Sequence, residues 1–150
     1  MHVFLLDASA LVKRYANEIG AAVVDYLFAK ATRDRLMCLM VGVAEVVAAL
    51  VRKRNGGIIT PAVFSAAMVR LRTEVLTAGD LVKLPADNAL ISMAIFLCDK
   101  YAINANDAIV LQTALDLVAQ LRTDGKPLVL VASDQRLLRA AQAEGPGHGA

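Results

Sequence analysis

Apolar residues follow two patterns along this chain of 150 residues. Four short and nearly continuous runs, at residues 2–6, 36–41, 81–84 and 128–131, have the length and make-up of strands buried on both faces. Between them the spacing is helical. Leu11, Val12 and Tyr15 share a face within 8–16, and Val23, Val24, Leu27 and Phe28 do so within 19–31. Val43, Val46, Val47, Leu50 and Val51 continue the pattern to a stop at Asn55-Gly56-Gly57. Thr60-Pro61 offers an N-cap and a first-turn proline for a helix running towards Ala78-Gly79. Residues 87–101 and 106–122 read as capped helices. Asp124-Gly125-Lys126-Pro127 is a turn, and 134–143 a closing helix.

Buried strands alternating with amphipathic helices predict an α/β fold, with a mainly parallel central sheet covered on both faces. The length suits one domain, expected over 1–143, with 144–150 as a flexible tail. In such sheets ligands bind beyond the carboxyl ends of the strands. Four acids fall at that edge. Asp7 and Asp134 follow strands, while Glu45 and Asp107 are expected in the first turns of helices. Each Asp also makes sense alone as a helix cap or first-turn charge. Glu45 fits that explanation less well, because it interrupts the most apolar segment of the chain and needs a partner if buried. Taken together, four converging carboxylates point to a divalent cation and to phosphodiester chemistry.

Composition changes this picture little. Hydrophobic residues make up 57% and the mean hydropathy is +0.54, enough to fill a core and leave apolar surface for a protein partner. A formal charge of +2 and a pI near 8.7 allow nucleic-acid binding without requiring it. Cys38 and Cys98 lack metal-ligand spacing and read as small buried hydrophobes, in keeping with a reducing cytoplasm. No secretory signal is expected at the N-terminus. The apolar stretch 36–51 is too short for a membrane span and would place Glu45 near mid-bilayer.

The segments LLDASALVKRY, VAEVVAALVRKRNGGI, YAINANDAIVLQTAL and VLVASDQRLLRAAQAEG resemble, in order and spacing, the PIN-domain ribonucleases, especially VapC-type toxins of toxin-antitoxin pairs. The resemblance covers nearly the whole chain. It implies a three-layer α/β/α PIN-like domain and endonucleolytic cleavage of RNA at Mg²⁺ or Mn²⁺. Asp7, Glu45, Asp107 and Asp134 match the family's metal-holding acids, and Ser9 matches the hydroxyl that supports the metal site. It also implies a VapB-like antitoxin, seated in a groove near 43–51 and 62–76, and a homodimer. Two positions depart from the family pattern: Asn104 stands where many members carry Arg, and Ala132 where many carry Thr or Ser.

On this basis Asp7 and Asp107 are expected as the central ligands, with Asp134 completing the site. Glu45 is expected as a ligand through water or as a general base. Lys13, Arg14, Arg136 and Arg139 are candidate phosphate contacts, while Arg52, Lys53 and Arg54 read as helix-end charges. His2 is expected in a strand and His148 in the tail, neither with a ligand partner. Asp116 is a surface charge or a rim residue. Two other classes stay open. A receiver or Asp-phosphatase would also collect acids at strand ends, although Ser9 stands where the phosphatase needs a second Asp. A degenerate, non-catalytic binding domain would keep the fold alone.

Overall fold

The computed structural model describes residues 1–77 and 81–145. The strands are β1 (Val3–Leu6), β2 (Leu36–Leu39), β3 (Val82–Leu84) and β4 (Leu128–Val131). They form one sheet in the order β3-β2-β1-β4, and every neighbouring pair is parallel. Register pairs Leu6 with Val131 and Leu39 with Leu84. All four carboxyl ends therefore open on the same edge.

Side chains alternate across the sheet, as the two-residue period of a strand requires. Val3, Leu5, Leu39, Leu128 and Leu130 face one core, closed by α5 (Asn88–Tyr101), α6 (Ala105–Arg122) and α7 (Gln135–Glu144). Leu6, Leu36 and Cys38 face the other. That side is closed by α1 (Ala8–Ala16), α2 (Ala21–Lys30), α3 (Met40–Asn55) and α4 (Pro61–Leu71). The result is the three-layer α/β/α arrangement expected. Cys38 is buried, with its thiol pushed up to about 11, and Cys98 packs partly buried against the first core.

Several boundaries differ from the expectation by a residue or two. β2 stops at Leu39 rather than Val41, because no turn residue separates strand from helix and α3 starts at Met40 without a side-chain cap. Glu45 consequently lies in the second turn of α3, not the first. Asn104 caps α6, its side chain accepting from the Asp107 amide at 2.8 Å, so the helix starts at Ala105 rather than Asn106 and Asp107 is its third residue, in the first turn as expected. His2 lies just before β1 and is exposed. As expected, Thr60 caps α4, accepting from the Val63 amide, with Pro61 behind it. The chain then continues as a π-helical stretch over Arg72–Leu76. The helix end expected at Ala78-Gly79 and most of the tail, including His148, lie outside the described residues.

The apolar surplus is placed differently from the sequence reading. Val43, Val46 and Leu50 of α3 and Leu71 of α4 are fully packed into the core, although Val63 and Val69 of α4 stay exposed. The most apolar exposed helix is α5, which presents Ile91, Met93, Ile95 and Phe96, the last 77% exposed.

Candidate active site

Asp7 follows β1 directly, and its backbone amide donates to the Val131 carbonyl at 2.9 Å, extending the β1–β4 ladder by one bond. Its side chain caps α1, accepting from both the amide and the hydroxyl of Ser9. Ser9 in turn accepts from the Ser133 amide at 3.0 Å, and the Ser133 hydroxyl donates to the Ser9 carbonyl. The start of α1 is thereby tied to the loop that delivers Asp134. That acid caps α7, accepting from the amides of Arg136 and Leu137. The capping explanation and the convergence explanation are thus both true of Asp7 and Asp134. A cap needs only one lone pair, and a carboxylate has others to offer.

All four acids, with Ser9 and Asn106, line one cavity of about 460 Å³ at the carboxyl edge of the sheet. Their electrostatics show mutual proximity without compensation. Burial pushes the Asp107 carboxyl up to about 6, and the charges of Asp134, Asp7 and Glu45 add to the rise. Burial also raises Asp7, against the hydrogen bonds of Ser9, with Asp134 adding further. Glu45 is raised by burial and then by Asp7, and the Asn106 side chain offsets part of this. Among the described residues, no basic side chain is a leading cause of any of the three shifts.

The donor set is all oxygen and strongly acidic, the chemistry of a hard cation. Among the described residues, no three His, Cys, Asp or Glu side chains form a ready metal cage. A hydrated divalent ion keeps several waters and needs only one or two carboxylates directly.

The basic candidates separate. Arg136 and Arg139 are exposed and line a cavity shared with Asn104, Asp107 and Asp134. Lys13 lies to the other side, its ammonium donating to the Ile19 carbonyl at 3.0 Å. Arg14 turns away from the acids. It pairs with Asp25 at 2.6 Å and Glu74 at 2.7 Å and lies over the Phe28 ring, so its charge is neutralised inside the fold. Asp116 accepts from Gln112 and lines a separate cavity beside Asp87 and Met93. Sequence reasoning gave no role in the site to Asn106 or Arg52, both of which line the acidic cavity, and left Ser133 aside. For Arg52 a signal was available, because it follows Glu45 by seven residues, on the same helical face.

Residues 4–143 match the family model of the PIN domain. The chain belongs to the PIN-domain family. PIN domains are generally nucleases, which agrees with the resemblance read from the sequence. Two solved structures share the PIN fold with this chain. The PAE2754 protein of Pyrobaculum aerophilum is 21% identical, with a TM-score of 0.64 over 94% of this chain and 87% of that one. Mycobacterium tuberculosis VapC20, a toxin that cleaves the sarcin-ricin loop, is 15% identical, with a TM-score of 0.62 over 91% and 94%. No curated protein matches this PIN domain in sequence at a significant level. Among its described residues, no helix is long and apolar enough to cross a membrane.

Proposed function

We propose that this PIN domain is a metal-dependent endoribonuclease, the toxin of a type II toxin-antitoxin pair acting in the cytoplasm. The observation that carries the reading is the acidic cavity itself. Asp7, Glu45 and Asp107 all have raised pKa values, and among the described residues no basic side chain is a leading cause of the shifts. An uncompensated carboxylate cluster is a cation site awaiting its counter-charge.

Asp7 and Asp107 are the residues that would hold Mg²⁺ or Mn²⁺, with Asp134 completing the set. When bound, the ion would polarise the scissile phosphate and acidify an attacking water. Ser9 keeps the Asp7 carboxylate oriented through its two bonds. Glu45, half-buried beside Asn106, is suited to accept the proton of the nucleophile, because burial and the Asp7 charge raise its pKa above the ordinary carboxylate value. Arg136 and Arg139 supply charge for the substrate backbone.

The choice of RNA over DNA rests on the family resemblance. So does the VapB-like antitoxin, for which the exposed Val63 and Val69 of α4 offer apolar surface. A homodimer is supported by the exposed apolar residues of α5. The test is cleavage of a single-stranded RNA with Mg²⁺ or Mn²⁺, before and after adding the small protein encoded beside it. Asp7→Asn should abolish cleavage and leave the circular dichroism spectrum unchanged. Full activity in that variant would overturn the assignment.

A further inference from the structure

The acidic cavity is the middle of a longer groove. On one side it shares Ser9, Val12, Ala49 and Arg52 with a second cavity that continues to Lys13 and Ser133. On the other it shares Asn104, Asp107 and Asp134 with a third, lined by Arg136 and Arg139. Those two arginines also line a fourth, which ends at Tyr101 and Ala102. Through these shared walls the depressions run on from one another across the carboxyl edge of the sheet, with four carboxylates in the centre and cations towards both ends, where Glu18 is paired with Lys53.

Arg52 marks the α3 end. Glu45, Ala48, Ala49 and Arg52 line the central cavity at the i, i+3, i+4 and i+7 spacing of one helical face. The two alanines keep that face low between the acid and the base. Arg52 stands about 10 Å along the axis from Glu45, far enough to meet a different phosphate from the one at the acids. Among the described residues, Arg52, Arg136 and Arg139 have no ion-pair partner, and all three are exposed. Arg14, Lys53 and Lys100 are by contrast engaged with acids.

We propose that a single strand of RNA lies along this whole groove, held by Arg52 on the α3 bank and by Arg136 and Arg139 on the α7 bank, with the scissile phosphate between them. The proposal rests on the nuclease reading above and adds the path of the substrate. Three cations strung along one cleft match one row of phosphates. A duplex presents two rows and calls for a broad basic face instead. A strand that passes the acids on both sides is cut internally, so the groove also gives the endonucleolytic mode a structural basis.

The test measures binding of a labelled single-stranded oligoribonucleotide in EDTA, where no cleavage occurs, across about 50 to 200 mM salt. Removing one phosphate-binding charge should lower the slope of log affinity against log salt by about 0.7. Arg52→Ala is expected to lower it by about that amount, and the Arg136→Ala/Arg139→Ala pair by about twice as much. Arg52→Lys should keep most of the slope, and Lys30→Ala, away from the groove, should keep all of it. An unchanged slope in either bank's variant would overturn the crossing path. Tighter binding of the duplexed form would overturn it too, as would displacement of the RNA by polyglutamate at lower concentration, which would make the groove a site for an acidic peptide. If both banks behave as expected while wild-type protein with Mg²⁺ cuts nothing, the nuclease reading fails and the groove stands. If the wild type cuts but the slopes do not move, the reverse holds.

Discussion

Two charge clusters in this molecule are built on opposite principles. Around Arg14, the acids Glu74 and Asp25 meet a guanidinium at 2.6–2.7 Å, and Arg70 approaches Glu74 from one turn away. Burial would raise Glu74, but the bonds from Arg14 and the charges of Arg14 and Arg70 offset it, leaving its carboxyl below the ordinary value. At the sheet edge Asp7, Glu45 and Asp107 face other acids with only a serine and an asparagine side chain as hydrogen-bond partners, and their carboxyls are pushed up. The first cluster is neutral within itself and joins α1, α2 and the π-helical stretch. The second has no such internal counter-charge, and on the function proposed above a bound cation supplies it. A charged group that serves the fold carries its counter-charge with it; one that serves a ligand does without.

The sharpest way to separate the two clusters is to supply the missing charge. Mg²⁺ at a hundred times its dissociation constant should stabilise the protein by about 2.7 kcal/mol, and EDTA should reverse the gain. In Asp107→Asn the gain should shrink, and in Glu74→Ala it should persist. A thermal melt with and without the ion reads this directly. Next in size is the loss of internal neutrality. Glu74→Ala leaves Arg14, its side chain only 12% exposed, with Asp25 alone. Stability should fall by about 2 kcal/mol, less than for a fully buried pair because both partners keep some solvent. The melting temperature should drop by roughly 4–8 °C. Cleavage per folded molecule should stay unchanged, and a loss of cleavage would blur the contrast.

The two clusters should also respond to pH with opposite sign. Glu74 has a lowered pKa, so its contribution is present above the unfolded value near 4.5 and is lost as pH falls through the folded one. Asp107 is raised from 3.8 to about 6, so the unfolded chain ionises first, and metal-free stability declines as pH rises between those values. Asp107→Asn should therefore stabilise the metal-free protein at pH 8 and lose much of that advantage near pH 4, as followed by melts in EDTA. The smallest effect concerns Asn106. Asn106→Ala removes the one hydrogen bond that lowers Glu45, so the acid limb of Mg²⁺ affinity should move to higher pH, measurable by calorimetric titration.

Much of the fold could be read from the order of residues. The four strands, the α-helices to within a few residues wherever their ends are described, and the parallel arrangement follow from continuous apolar runs set between amphipathic stretches; the short 3-10 turn at Arg33–Arg35 was not foreseen. Boundaries failed where one apolar type passes into another without a breaker, as at Leu39-Met40, because hydrophobicity alone does not separate strand from helix there. The acids were legible for a similar reason. A charge at the end of a buried run stands out, and the parallel order sends every such end to one edge.

What the sequence determined by itself was therefore periodic or local: element types, caps such as Thr60 and Asp134, the alternation of the sheet faces and the four acids. The tertiary structure decided which charges were already neutralised. Arg14 and Arg52 look alike in the chain, each a helical arginine seven residues beyond a key acid. Arg14 meets Glu74, sixty residues away, while Arg52 faces the acidic cavity beside residues of α1 and α6 and the caps Asp7 and Asp134. Ser133 likewise gains its role from a bond to Ser9 across 124 residues. Neutralisation depends on distance in space between groups far apart in the chain, and no pattern of spacing along one segment encodes it.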